Sequence, residues 1–456
     1  MAHSINMYQK IKIAILVLTT TCSGLIAQES WSLDDCVTYA LEHNLSLKDF
    51  EYNEASNKES YRQSIRNLLP SISGFADYNK SFGRSEDPNT GGYVNTDFFS
   101  NNYSLNSSID LFRGFQKINA IKVSKFLHKA AKEDVEQQKY LLAFRVMSAY
   151  YEIKFFEGLL KNSKEQEEIS QTNYNLVKRQ IELGLKAGVD LNEAESLLLT
   201  DILTVTQNEN NLQAARINLI QEMNLEGVST IALRSVLESA AEEKAVAQGL
   251  DQDSIFNNAM DFIPLIKAQE LRAKAAKKNV AVARGNLYPS LSFAAGYGTG
   301  YYETNTDDMN GIIPFRTQIE DNASRYIGFS LRVPLSDKWS NRSRVKQQKI
   351  AMLRAENNLH IQEQELYKTI QQLVQENSSL AAETAQSDKK VQSQELAFTI
   401  AQKRYDKGLI SALELFQAKT LFATAQNENL QVRLSAEVNK STLDFYRGLP
   451  IFNINN

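Results

Sequence analysis

Proline is scarce in this chain: 7 in 456 residues, with only 19 glycines. Ordinary globular domains punctuate their turns with both, so the shortage excludes a loop-rich fold and suits long unbroken helices. Cysteine is scarcer still. Of Cys22 and Cys36, the first lies in the extreme N-terminal segment, which leaves no intrachain disulfide framework and no cysteine metal pair. His3, His43, His128 and His360 never stand at i, i+4 spacing, and no Ser/His/Asp order or Gly-rich phosphate loop accompanies them. Catalysis, a resident metal and a bound cofactor are therefore not expected. An excess of charge is missing too. Charged residues make up 23% with a formal net charge of −4, too balanced for a nucleic-acid partner. No run of about 20 apolar residues follows the N-terminus, so no transmembrane helix is predicted.

What is present begins with the N-terminus. Lys10 and Lys12 precede the apolar core Ile13-Ala14-Ile15-Leu16-Val17-Leu18, and small residues lead to Ala27, with Gln28 as the mature start. That is a signal-peptide pattern over 1–27, too short to span a membrane. Thr19-Thr20-Thr21 ahead of Cys22 matches a lipoprotein box poorly, so lipidation of Cys22 stays open.

The body of the chain is written twice. Arg179-Gln180-Ile181-Glu182-Leu183-Gly184-Leu185 through Val189-Asp190-Leu191 returns as Lys403-Arg404-Tyr405-Asp406-Lys407-Gly408-Leu409 through Leu413-Glu414-Leu415. Gly184 matches Gly408, Asp190 matches Glu414 and Leu191 matches Leu415 at one constant offset, the signature of a duplicated unit. Each glycine stands where a long helical pattern must stop and reverse, which predicts a tight αα-hairpin. The first repeat spans 28–224: a helix over 31–68 opened by Ser32, a β-hairpin over 71–111, and a helical hairpin over 115–224. A connecting segment, 225–250, holds little periodicity. The second repeat spans 251–456: a helix to Asn286, a β-hairpin over 290–335, a helical hairpin over 339–446 and a short tail. The runs 115–183 and 339–407 contain no proline, and at about 1.5 Å per residue each reaches roughly 100 Å. Leu366, Ile370, Leu373, Leu380, Phe398 and Tyr405 mark a coiled-coil-like seam in the second, and Leu198, Ile202, Val205, Leu212, Leu219 and Met223 a stripe on the first return helix.

After Pro70 and Pro289 the period changes from 3.6 to 2. Leu291, Phe293, Ala295 and Tyr297 alternate with Ser290, Ser292, Ala294 and Gly296. Phe329, Leu331 and Val333 alternate with Gly328, Ser330 and Arg332, and the first repeat carries weaker echoes. Polar loops, roughly 83–102 and 303–323, join the strands of each hairpin. One chain offers four strands with an apolar face, too few to close a barrel. A membrane tolerates no free sheet edge, so closure demands that several subunits contribute strands. Tyr78, Phe82, Tyr103, Tyr301, Tyr302 and Tyr326, near strand ends, suit an interfacial girdle.

A helix ending in Asn-Leu-x-Pro-Ser, a β-hairpin, a long helix, a Gly-Leu turn and a return helix, all repeated behind a signal peptide, resemble the TolC-type outer-membrane efflux protein family over nearly the whole mature chain. Arg404-Tyr405-x-x-Gly408-Leu409-x-x-x-x-Glu414-Leu415 followed by Gln417-Ala418 carries the resemblance most specifically. It implies a mainly α chain with a transmembrane β part: a homotrimer with a 12-stranded β-barrel in the outer membrane of a Gram-negative bacterium, continuing into a periplasmic helical barrel. It implies a passive exit duct for efflux or type I secretion, served by a periplasmic adaptor (membrane fusion protein) and an inner-membrane RND or ABC pump. The competing reading is a periplasmic coiled-coil scaffold or adaptor without a channel, against which the two hairpins and four amphipathic strands count.

The resemblance also assigns roles. Asp190, Glu193, Tyr405, Glu414 and Gln417 fall at the periplasmic gate, the acids lining its constriction and Tyr405 belonging to the latch. The same acids, in the first turns of helices, read equally as complements to the helix dipole. The chain departs from the family at Ile410, where the relative carries Arg, and at Gln417, where it carries an acid. Gly184, Leu185, Gly408 and Leu409 match the tips that dock the adaptor, and read otherwise as plain turns. Leu291, Phe293, Tyr297, Phe329, Leu331 and Val333 are the expected lipid-facing strand residues, in contact with outer-membrane lipid.

Overall fold

The computed structural model describes residues 30–87, 90–234 and 251–452. The signal-peptide reading, Cys22, residues 235–250 of the connecting segment and the last four residues of the tail lie outside that range. Two compact units divide the rest. One takes the chain up to Asp49, Glu136–Phe262 and Glu365–Asn456, and the other takes Phe50–Val135 and Ile263–Gln364.

In the second of these units the sheet runs in the order β1 (Ser71–Ser81), β4 (Phe98–Arg113), β5 (Ser290–Tyr302), β6 (Ser324–Arg332), every neighbour antiparallel. The loop expected over 83–102 is shorter and structured. It holds a small ribbon of β2 (Arg84–Glu86) and β3 (Tyr93–Asn95), and β4 already begins at Phe98. The loop after β5 carries a short helix, α7 (Phe315–Asp321). Gln318 pins it to the sheet end by donating to the Tyr302 and Ile313 carbonyls and accepting from the Tyr302 amide.

Register decides what each face holds. Phe293 lies opposite Ile109 and Phe329, Tyr297 opposite Leu105 and Arg325, and Ile72 opposite Ser107, so one face is largely apolar. A bulge at Leu111 returns Phe112 to that face, opposite Leu291. The other face carries Ser73, Asp77, Asn102, Asn106, Ser292 and four glycines. Tyr302 and Tyr326 lie on it as well and are not girdle residues: their hydroxyls donate to Asn102 (2.7 Å) and Asn106 (3.2 Å). The Tyr326 ring covers Gly296, where an added Cβ would come within 2.2 Å of it. Both strand-to-helix junctions use two successive left-handed residues, Gly114-Phe115 and Lys338-Trp339.

Helices fill the rest of the described chain. The run read as one helix over 31–68 is two, α1 (Leu33–His43) and α2 (Leu45–Arg66), broken at Asn44. There the Asn44 side chain accepts from the Leu47 amide, starting α2, and donates to the Glu222 carbonyl. The matching helix of the second repeat also breaks, between α5 (Gln252–Phe262) and α6 (Pro264–Gly285). Pro264 takes the first helical position, where its missing N–H costs nothing.

The long elements are α3 (Gln116–Glu182) and α8 (Ser340–Asp406), 67 residues each, followed by the return helices α4 (Gly188–Met223) and α9 (Ala412–Tyr446). Within the helical unit, α3 and α4 run antiparallel, tied by Lys164–Glu209, Arg216–Glu157 and Arg145–Glu222. α8 and α9 are tied by Lys390–Glu428, Arg433–Asp388 and the Asn439–Glu376 hydrogen bond. α3 meets α9 along a third seam, where Gly158 admits Leu430 and Asn162 bonds Asn427. At the far end of α9, Phe445 gathers Tyr140, Phe144 and Phe262.

Candidate functional site

The two hairpin reversals share one geometry. Gly184 has φ +74° and Gly408 φ +70°, the left-handed conformation that other residues adopt at a cost. Each donates its amide three residues back, to Ile181 and Tyr405. The following leucine donates five residues back, Leu185 to Gln180 and Leu409 to Arg404. These are Schellman caps closing α3 and α8. A Cβ on either glycine would meet nothing within 4 Å, so backbone conformation rather than packing requires glycine. Leu185 and Leu409 are 71% and 63% exposed.

Past each turn an acid caps the return helix. Glu414 accepts from the Ser411 amide (2.8 Å) and hydroxyl (3.0 Å), and Ser411 accepts from the Glu414 amide, a full capping box. Those bonds, the backbone one first, hold the Glu414 carboxyl below the usual carboxylate range. Asp190 accepts from the Ala187 amide (3.2 Å), but Ala187 has no side-chain oxygen, and the Asp190 amide turns to the Ala187 carbonyl instead (3.1 Å). Glu193 is half-buried and Gln417 exposed.

Tyr405 does not meet these acids. It is buried with Ala412 and Leu415, flanked by Phe398 and Ile410, and its hydroxyl accepts from Lys186 Nζ at 3.2 Å. The same ammonium stands 4.9 Å from the ring centroid. Ile410 is thus part of an apolar packing. The cation beside Tyr405 comes instead from the opposite tip, a residue the sequence pattern did not single out.

A second missed residue lies deeper. Lys419 is buried between three helices, donating to Ser170 of α3 (2.7 Å) and ion-paired with Asp201 of α4. Desolvation lowers the Lys419 pKa, and Asp201 opposes that shift. Both sit on seam spacing: Ala412, Leu415, Lys419 on α9, and Ala194, Leu198, Asp201, Val205 on α4. Ile202, read as part of the α4 stripe, is instead exposed, because the seam position next to it belongs to Asp201. The spacing was legible; a charged residue on it was passed over for its apolar neighbour.

On the sheet, Leu291 pairs with Leu331 and Phe293 with Phe329, their rings 5.1 Å apart, while Arg325 stands over the Tyr297 ring. Val333 departs from the expectation: β6 ends at Arg332, and Val333 and Pro334 follow as irregular chain, since proline cannot donate to the ladder. Among the described residues no group of His, Cys, Asp and Glu could hold a metal ion.

A four-stranded sheet with two free edges and one apolar face, joined in one chain to paired helices of this length, has known counterparts. The model of the family described as Outer membrane efflux protein matches residues 37–225 and again 257–449. The chain belongs to that family. The efflux protein is 24% identical over 448 residues to the probable efflux pump outer membrane protein TtgC of Pseudomonas putida, covering 92% of this chain and 86% of that one. It is 20% identical over 410 residues to the cation efflux system protein CusC of Escherichia coli O157:H7, covering 89% and 84%. The crystal structure of the Campylobacter jejuni CmeC outer membrane channel superposes with a TM-score of 0.77 at 16% identity, covering 93% of this chain and 87% of that one. The efflux protein is an outer-membrane exit duct with a helical barrel and a β part, and its relatives are channels. The scaffold reading, which had no place for a membrane-spanning sheet, is set aside.

Proposed function

We propose that this efflux protein works as a homotrimer whose three sheets close one 12-stranded barrel, with a periplasmic adaptor docked on the helical tips and an inner-membrane pump supplying the energy. The observation that carries this reading is the sheet: β1 and β6 are free edges, and a membrane-spanning sheet cannot leave edges unpaired. Relatives of the chain serve as outer membrane proteins of pumps named for toluene, antibiotics and cations, so the substrate follows the pump more than the duct. An RND or ABC partner fits equally. Lipid meets the face of Leu291, Phe293, Tyr297, Phe329 and Leu331.

At the tips, Gly184 and Gly408 hold the turns that present Leu185 and Leu409 to the adaptor's helices. Threefold symmetry brings Asp190, Glu193, Glu414 and Gln417 toward the axis as rings, with Tyr405 and Lys186 bracing the hairpins behind them. In this reading Asp190 and Glu414 serve as caps and gate acids together. The experiment is Leu185→Asp with Leu409→Asp. Efflux measured as drug susceptibility should be lost, while outer-membrane fractionation and the trimer persist. Normal efflux in that variant overturns the docking tips, and loss of the trimer reduces them to structural turns.

A further inference from the structure

The formal net charge of −4 hides a sharp local imbalance. Residues 111–132, 271–302 and 338–355 contain no Asp or Glu, and they carry six, five and six lysines and arginines. These cations all belong to the junctions and helix ends that adjoin the sheet: the start of α3, the end of α6 and the start of α8. The nearest acids are already taken. Asp110 holds Lys117 (3.1 Å) and Arg113 (3.5 Å), Glu59 holds Arg62 and Arg66, and Asp337 accepts from the Asn341 amide. Lys122, Lys125, Lys277, Arg284, Arg342 and Lys346 are exposed and pair with no acid among the described residues.

Helix geometry says which way this charge faces. His128 of α3 contacts Glu54 of α2, and Asp134 contacts Arg272 of α6, so α3 packs between those two helices. At about 100° per residue, Ala131 falls midway between the two contacts and is buried, while Lys122 and Lys125 fall on the far side. The packed side is continuous with the polar face of the sheet, where Lys117 reaches Asp110. The far side is continuous with the apolar face: at the junction Phe115 stands edge-on to Phe112, ring centroids 5.3 Å apart. On α6, Lys277 and Arg284 lie seven residues apart on one exposed face, away from buried Ala275 and Ala283. On α8, the Arg342 guanidinium stands 4.3 Å from the ring centroid of Trp339, which is 67% exposed, and Lys346 follows one turn later.

Distance from the sheet selects the partner. At about 1.5 Å per residue, Lys122 and Lys125 stand about 9 Å and about 14 Å beyond the first residue of α3. Headgroups extend about 5–8 Å past the hydrocarbon on each side, and screened charge is felt over about 8 Å more. These lysines are therefore within the field of the periplasmic leaflet. Lys129 and Lys132 continue the stripe at about 20 Å and about 24 Å, past its reach.

We infer that this basic collar binds the anionic phospholipid headgroups of the periplasmic leaflet, with Lys122, Lys125, Lys277, Arg284, Arg342 and Lys346 donating to their phosphate oxygens. Two observations choose lipid over another polyanion. The charge begins directly where the apolar face ends, on the same side of the chain. Exposed Phe115 and Trp339 stand between the strands and the cations, as aromatic residues do at a membrane–water interface. The inference rests on lipid meeting the Phe293 face and adds the headgroup class to that reading. A collar of this kind fixes the depth at which the sheet sits in the membrane.

The test uses the full-length protein in detergent, offered phosphatidylglycerol and phosphatidylethanolamine of matched acyl chains, with bound lipid counted by native mass spectrometry. Phosphatidylglycerol should be retained at least fivefold in preference. Lys122→Gln with Lys125→Gln should weaken its binding about fivefold for each charge lost, and Arg342→Gln with Lys346→Gln likewise. Lys129→Gln with Lys132→Gln should leave it unchanged. Far-UV circular dichroism and trimer retention check that each variant is folded. No preference for phosphatidylglycerol, full binding in both collar variants, or equal loss in the Lys129 and Lys132 variant overturns the collar and leaves the duct standing. Altered ion selectivity of the Lys122 and Lys125 variant in planar bilayers would put the stripe in the lumen and overturn it as well. A wild-type protein that neither retains lipid nor inserts into vesicles overturns the lipid-facing sheet instead.

Discussion

Lys419 is the residue whose removal should be felt most. Its ammonium is nearly sealed from water, and Asp201, Ser170 and the Gln166 carbonyl are its compensation. Lys419→Ala leaves the Asp201 carboxylate buried beside an empty position, a change that costs about 3–5 kcal/mol in buried pairs. Lys419→Met with Asp201→Leu removes both charges and should recover most of that loss. Thermal unfolding followed by far-UV circular dichroism separates the cases, and a single variant as stable as the parent would mean water reaches the pair. Glu414 gives a pH signature at the same scale. Its pKa in the folded chain is depressed, so its stabilisation is fully present above the ordinary carboxylate value, near 4.5, and is lost as pH falls through the lower folded value. Ser411→Ala should cost about 0.5–2 kcal/mol at neutral pH and flatten that acid dependence at the α9 terminus. Hydrogen exchange of the first α9 amides, measured from neutral to acid pH, reads both effects. The two tips differ in one atom: Ser411 supplies the hydroxyl oxygen that completes a capping box with Glu414, whereas Ala187 has no side-chain oxygen to complete one with Asp190.

At the scale of elements, the fold class was legible because proteins this poor in proline and glycine leave helices nowhere to stop except at the few breakers present. Gly184, Gly408, Pro70 and Pro289 are such breakers, and the period-2 stretches after the prolines became β1 and β5. The helix break at Asn44 was passed over although asparagine is a favoured N-cap and takes the Leu47 amide three residues on; only its bond to the Glu222 carbonyl lay beyond local reach. Pro264 was a visible signal that the regular pattern around it concealed. The Lys186–Tyr405 contact and the Lys419–Asp201 pair join residues more than 200 positions apart, and no local pattern reports which hairpin supplies the partner. Gly158 leaves room for a side chain of the facing helix: a Cβ there would stand 2.3 Å from the end of the Leu430 side chain. Gly158→Val should therefore destabilise the helical unit by about 1–3 kcal/mol through overpacking. Gly158→Val with Leu430→Ala should be more stable than Gly158→Val alone. Failure of that rescue in a denaturation series would place the strain in the backbone rather than at Leu430.

For the whole molecule, the decisive physical fact is that the sheet presents an apolar face and two edges that no other described strand pairs. Water and bilayer impose different solutions: in water such a face must be buried against protein, and in lipid it can stay outward once the edges close. The register separates these. Phe293 stands between Ile109 and Phe329 on the apolar face, whereas Ser292 stands between Asp110 and Ser330 on the polar one. If lipid meets the first face and a water-filled lumen the second, Phe293→Arg should cost about 2–4 kcal/mol near the bilayer midplane, and Leu331→Arg a comparable amount. Ser292→Arg, one residue from Phe293 on the same strand, should cost far less, because its charge stays hydrated in the lumen. Insertion and trimer yield in outer-membrane fractions measure all three. Equal loss at Ser292 and Phe293 would mean that both faces are buried in protein, and the closed-barrel arrangement would fall with it.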